Sequence, residues 1–177
     1  MTFHQHITER GWNPQISSWV GWFEEIITFP LWFPTGKLVG YQRYDWKGDK
    51  IRSNEGRYFT WISEQYRPLG LYGFEYLGRR GPLFLTEGIW DCIKVINSGY
   101  AGLAILTGTP HKQLKQWLRF VAGNRPIISI LDNDLGGKQL ANLADVCYNT
   151  PVGYKDLGEY PQYYAKEFLD DIARNDS

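Results

Sequence analysis

The chain has 177 residues, nineteen basic and nineteen acidic side chains, and 43% hydrophobic residues, which is enough apolar material for one core or two small ones and excludes a disordered segment. No apolar run approaches the ~20 residues of a membrane helix and no signal peptide opens the chain, so a cytoplasmic protein without membrane partners is expected. Residues 1–80 carry ten Lys and Arg against eight acids and residues 81–177 nine against eleven, a mild asymmetry compatible with nucleic-acid binding.

In chain order, His4 and His6 read as solvated histidines without metal partners. Asn13-Pro14 pairs a capping residue with the proline tolerated in a first helical turn, predicting a short helix within residues 8–20. Ile26 to Leu31 reads as a strand, Pro34-Thr35-Gly36 as a turn and Leu38 to Tyr44 as the returning strand, together a hairpin. Six tryptophans (Trp12, Trp19, Trp22, Trp32, Trp46 and Trp61) suit packing, or stacking on bases at ~1–3 kcal/mol each.

Residues 82–100 form the unit around which the rest of the chain is arranged. Leu83-Phe84-Leu85 is a short apolar strand that stops at Glu87, and Gly88 permits a sharp turn. Ile89, Cys92, Ile93 and Ile96 then recur at helical spacing, with Asp91 in the first turn where the helix dipole favours an anion. A carboxylate thus stands at the carboxyl end of a strand, the edge at which open α/β sheets bind ligands. Leu103 to Leu106 is the next strand. Its turn, Thr107-Gly108-Thr109, serves either as a phosphate cradle or as a plain loop. Pro110 starts a helix bearing Leu114, Trp117, Leu118 and Val121, with His111 at its surface.

Forty-five residues after the first acid the pattern returns. Pro126 to Leu131 is a β-branched run ending in Asp132-Asn133-Asp134, and Gly136-Gly137 opens a helix carrying Leu140, Leu143, Ala144 and Cys147. Residues i and i+2 of an extended segment point the same way, so Asp132 and Asp134 can share a site. With Glu87 they form a cluster of repelling carboxylates that calls for cations, and oxygen donors suit Mg²⁺ or Mn²⁺. Cys92 and Cys147 both fall on inward helix faces, as buried thiols of a reducing compartment. Thr150 to Tyr154 reads as a further strand, Gln162 to Ala173 as the last helix, and Arg174 to Ser177 as a frayed end.

The E-G-x-x-D of Glu87, Gly88 and Asp91, the I-L-T-G-T of residues 105–109 and the D-x-D-x-x-G of Asp132, Asp134 and Gly137 resemble the TOPRIM domain of bacterial-type primases, topoisomerases and certain nucleases. Upstream, the R-G of Arg10-Gly11, I-T-F-P, G-K-L-V-G-Y-Q-R, Arg57-Tyr58-Phe59-Thr60 and Leu71-Tyr72-Gly73 are similar to the amino-terminal half of the primase catalytic core, and Lys155-Asp156 with Glu159 to a primase K-D-x-x-E. The resemblance implies an α/β fold: a primase-like α+β subdomain over residues 1–80, then a TOPRIM domain over 81–177 with a parallel central sheet flanked by helices.

It further implies a primase, a nucleotidyltransferase making short RNA primers on single-stranded DNA from ribonucleoside triphosphates. Glu87, Asp132 and Asp134 would be catalytic and bind Mg²⁺ or Mn²⁺, with Asp156 a further metal ligand and Glu87 alternatively the general base. Arg43, Arg57, Lys155, Gly88 and Asp91 would meet nucleotide or nucleic acid, with Arg52 beside them. A metal-dependent nuclease and a non-catalytic nucleic-acid-binding replication protein are the alternatives. The chain has no cysteine cluster for a zinc-binding module, so a separate zinc-binding subunit or helicase is an expected partner. The cytoplasm of a phage host is one expected setting.

Overall fold

A computed structural model describes residues 1–14, 21–23, 25–48, 56–67, 69–106, 112–133 and 138–176. Its described elements are α1 (Phe3–Glu9), β1 (Gly21–Phe23), β2 (Ile26–Trp32), β3 (Leu38–Asp45), β4 (Tyr58–Ile62), β5 (Leu71–Tyr72), β6 (Leu83–Thr86), α2 (Ile89–Asn97), β7 (Ala101–Ile105), α3 (Lys112–Ala122), β8 (Ile127–Leu131), α4 (Lys138–Ala141), β9 (Val146–Asn149) and α5 (Gln162–Asn175). The nine described strands form one sheet in the order β4-β3-β2-β5-β7-β6-β8-β9, with β1 paired to β2. Strand pairs β6–β7, β6–β8 and β8–β9 are parallel, and the others antiparallel. The fold is therefore mixed α/β, and the predicted hairpin is β2–β3 around the turn at Pro34–Gly36.

Burial follows the pairing. Strands β6 and β7 are buried at every residue, as parallel strands covered on both faces must be, whereas the edge strand β9 alternates between half-buried and exposed. On one face α1 and α2 pack over β2 and β3 around Ile7, Phe29, Tyr44, Trp90 and Ile93, while α5 covers β6 and β8 through Leu169 and Ile172. On the other face Leu114 and Leu118 of α3 and Leu140 of α4 pack on Leu83, Leu85 and Ile127. The chain leaves β6 toward the α2 face and leaves β8 toward the α4 face. Adjacent parallel strands whose connections part in this way open a crevice at their carboxyl ends.

Four local expectations are corrected. Thr150 to Tyr154 is a turn rather than a strand; the pairing strand is β9, four residues earlier, and Pro151 with Gly153 at φ +99° suits a turn. The helix after Gly137 is described only as the short α4, so Cys147 sits on β9 and is exposed, not buried on a helix face; Cys92 is buried as expected. Helix α5 runs on through Arg174 and Asn175, because Ile172 and Ala173 anchor its last turn. The amino terminus holds a helix the sequence reading missed: α1 opens with a capping box in which Thr2 accepts from the Gln5 amide while the Gln5 side chain accepts from the Thr2 amide. His6 is accordingly half-buried, stacked on Tyr44 with its Nε2 2.6 Å from the Tyr44 hydroxyl. The helix expected from Asn13-Pro14 falls mostly on residues 15–20, outside the described residues.

Candidate active site

Glu87 follows the last residue of β6 and Asp132 the last residue of β8. In the parallel register Leu85 stands opposite Ser129; counting onward, Glu87 is level with Leu131, one residue short of Asp132. Neighbouring strands lie ~4.8 Å apart, so the two acid turns are adjacent, and they sit at the crevice where the β6 and β8 connections diverge. Both acids lie past the last ladder residue, where pleat alternation no longer assigns a side chain to a face. The turn after β6 is fixed locally: the buried Thr86 hydroxyl donates to the Gly88 carbonyl at 3.1 Å, and extended Gly88 caps α2. A Cβ at Gly88 would run into Asp91 Oδ2, so only glycine lets the Asp91 carboxylate fold back over this turn.

Asp91 and the loop after β9 meet here. Asp91 is 4% exposed, and its Oδ1 accepts from the Gly158 amide at 2.6 Å. Burial, then the nearby Asp156 charge, push its carboxyl up to about 7 against the pull of the Gly158 amide and of Arg10. Asp156 caps the 3₁₀ turn Leu157–Glu159, its Oδ1 accepting from the Glu159 amide at 2.9 Å. Asn133 staples the same loop to the Asp132 turn. Its amide donates to the Lys155 carbonyl at 3.0 Å and its side chain to the carbonyls of Thr150 and Tyr154 at 3.0 and 2.9 Å. Lys94, one turn beyond Asp91, is fully buried and donates to the Glu9 carbonyl at 3.0 Å; burial, reinforced by Arg10, pulls its amine down to about 8.

The basic residues occupy the β3–β4 region. Arg43 lies on β3 with its guanidinium 5.0 Å from the Phe59 ring, beside Tyr41 stacked on Trp61 at 5.7 Å. Arg57 is exposed just before β4, and its charge acts on Tyr44 and His6. Two grooves continue from this aromatic face: one of about 250 Å³ lined by Lys37, Tyr41, Trp61 and Tyr66, and one of about 350 Å³ lined by Phe33, Tyr66, Arg67, Gln113 and Trp117. Lys155 is exposed on the loop stapled to Asn133. Asp134, Arg52, His111 and the Thr107–Thr109 turn lie outside the described residues.

Among the described residues no group of three or more His, Cys, Asp or Glu stands together as a metal cage. In kind, the strand-end donors Glu87 and Asp132 fit a hard divalent cation, since both are carboxylates. The sequence reading noted Arg10 only within the R-G of the resemblance, without a role at the site, and missed Lys94 and Arg67. Arg10 and Lys94 reach this region through contacts with Gly158 and Glu9, 148 and 85 residues away in the chain, which no local spacing encodes.

No protein-family model and no curated protein matches the chain. Solved structures do. A DnaG catalytic core superposes with a TM-score of 0.66 at 19% identity, over 96% of this chain and 62% of that one. The Escherichia coli primase catalytic core gives 0.65 at 17%, over 96% and 63%. An Aquifex aeolicus primase structure of zinc-binding and RNA polymerase domains gives 0.65 at 15%, over 98% and 55%. The chain thus spans less than two thirds of the length of these primase structures, and over nearly all of its own length it has the fold of the DnaG primase catalytic core.

Proposed function

We propose that the chain is a primase-type nucleotidyltransferase, joining ribonucleotides into short RNA primers on single-stranded DNA. The observation that carries this reading is the placement of Glu87 and Asp132 at the ends of adjacent parallel strands, at the crevice of a sheet with the primase-core fold. A DnaG catalytic domain of the same fold has been solved bound to single-stranded DNA. In this proposal residues 81–177 form a TOPRIM domain and residues 1–80 the subdomain that presents the template.

Glu87, Asp132 and Asp134 would hold Mg²⁺ or Mn²⁺, with Asp156 as a further oxygen donor. A divalent ion held there would neutralise triphosphate charge and ease loss of the proton from the attacking 3′-hydroxyl. That oxygen bonds to the α-phosphorus of the incoming nucleotide as pyrophosphate leaves. Glu87, where it does not ligate, would accept the proton. Arg43, Arg57 and Lys155 would meet phosphates, while Gly88 and Asp91 shape the turn that aims Glu87. A replicative helicase or a zinc-binding subunit would complete the assembly in the cytoplasm.

The test is incubation of the pure protein with Mg²⁺ or Mn²⁺, labelled ribonucleoside triphosphates and mixed-sequence single-stranded DNA. New RNA of a few to a few tens of nucleotides is expected. Shortened template identifies a nuclease instead, and intact binding without either product identifies a non-catalytic nucleic-acid-binding protein.

A further inference from the structure

One loop touches both acid turns. At its start Lys155 is bonded to Asn133, next to Asp132, and at its end the Gly158 amide is bonded to Asp91, which folds back over Gly88 and so abuts the Glu87 turn. A further residue packed against this loop comes from the opposite end of the chain. Helix α1 is docked by Lys94 and Asn97 of α2, which donate to the carbonyls of Glu9 and Gly11. Gly11, at φ +95°, lies so close that a Cβ would be 3.2 Å from Asn97 Nδ2 and 3.3 Å from Lys94 Cδ. This docking delivers Arg10. Its guanidinium lies 5.2 Å from the Trp90 ring and 5.8 Å from the Tyr44 ring. A Cβ at Gly158 would lie 3.1 Å from Arg10 Nη2, 3.2 Å from Asp156 Oδ1 and 2.9 Å from Trp90 Cβ, which puts all three groups against this glycine.

We propose that Arg10 is a positioning residue for the acid cluster: clamped between aromatic rings, it braces the 155–159 loop and thereby keeps the Glu87 and Asp132 turns together. A planar cation suits this place, because it can stack on rings and face carboxylates at once. It is also the positive charge set among Asp91 and Asp156, which repel one another. Arg10 touches no reacting atom in this scheme; it acts through Gly158, Asp156 and Asp91. The proposal rests on the reading of Glu87 and Asp132 as a cation site.

The experiment compares wild type, Arg10→Met and Arg10→Lys in three measurements. Amide hydrogen exchange is read at Gly158 and Glu159, with Leu85 and Ile130 of the central strands as references. The Mn²⁺ dissociation constant is read by electron paramagnetic resonance, and RNA synthesis is followed as a function of Mn²⁺. Arg10→Met is expected to exchange Gly158 and Glu159 faster with the reference amides unchanged, and to bind Mn²⁺ about tenfold more weakly, the loss typical of an outer-shell partner. Its kcat should recover at saturating Mn²⁺. Arg10→Lys should fall between the two, and it carries the same test should the methionine variant fail to fold.

Unchanged loop amides, faster exchange across β6 and β8 as well, or faster loop exchange with unaltered Mn²⁺ affinity would each overturn the proposal. Wild-type protein that binds Mn²⁺ and shows these variant effects yet makes no RNA sinks the primase reading and leaves the brace standing.

Discussion

Asp91 shows how much the site depends on burial. Its carboxyl is sealed from solvent beside a second acid, and its pKa is raised to about 7, well above the ordinary carboxylate value of 3.8. A folded-state pKa above the unfolded one means that the native state binds the proton more tightly. Stability from this group is therefore full below about pH 4 and is lost as pH rises through 7. Asp91→Asn keeps an acceptor for the Gly158 amide and removes the titration. Thermal melts at pH 5, 6.5 and 8 should show the wild type losing stability across that range and the variant losing less, with the variant melting higher at pH 8. Each kcal/mol corresponds to ~2–4 °C in a domain of this size. Parallel curves for the two proteins would refute a buried, partly ionised Asp91. Asp132→Ala works in the other direction: synthesis should vanish while the melting temperature holds or rises, because one of several repelling charges is gone. A fully active Asp132→Ala protein would remove Asp132 from the chemistry.

At the scale of elements, α1 is the piece whose existence depends most on its partners. Seven residues are too few for a helix to persist alone in water, so its stability lies in buried Ile7, in the Lys94 and Asn97 hydrogen bonds, and in the capping box. Ile7→Ala should cost about 2–5 kcal/mol, read as a lower urea midpoint; a change under about 0.5 kcal/mol would mean that α1 is not docked. The same helix marks the limit of what the sequence discloses. Its capping box was visible at Thr2 and Gln5, but a pair of histidines in a short polar stretch gives no periodicity to read. Strands β2, β3, β6 and β8 and helices α2 and α5 were legible because each is a self-contained apolar pattern. Strand β9 was not, since Val146-Cys147-Tyr148-Asn149 merges with the helical spacing before it, and the apparent strand at Pro151–Tyr154 has a proline and a left-handed glycine that suit a turn. The acids at strand ends were legible for a similar reason: an apolar run that stops at a carboxylate is a local signal. The contacts of Gly158 with Arg10 and with Asp91 join residues 148 and 67 positions apart, and nothing in the spacing of any one segment announces them.

For the whole molecule, one sheet carries both the acid edge and an aromatic, cationic surface on β3 and β4, where Arg43, Tyr41 and Trp61 lie together. With zero net charge, long-range attraction of DNA is small, so binding should come from a few local cations and from stacking. Log affinity for single-stranded DNA should fall with log salt by ~0.7 for each phosphate neutralised. Arg43→Ala should weaken binding and flatten that slope by about the same amount, whereas Trp61→Ala should weaken it by ~1–3 kcal/mol with the slope preserved; an unaltered affinity in both variants would place the DNA elsewhere.

The claim on which the catalytic account stands is that the ends of β6 and β8 converge on one cation. Crystals grown with Mn²⁺ and a nucleotide test it through the anomalous signal of the metal. The account predicts a peak about 2.0–2.2 Å from carboxylate oxygens of both Glu87 and Asp132, the range for small divalent ions on oxygen ligands. A peak bound by only one of them, or the two carboxylates on opposite faces of the sheet, would contradict it.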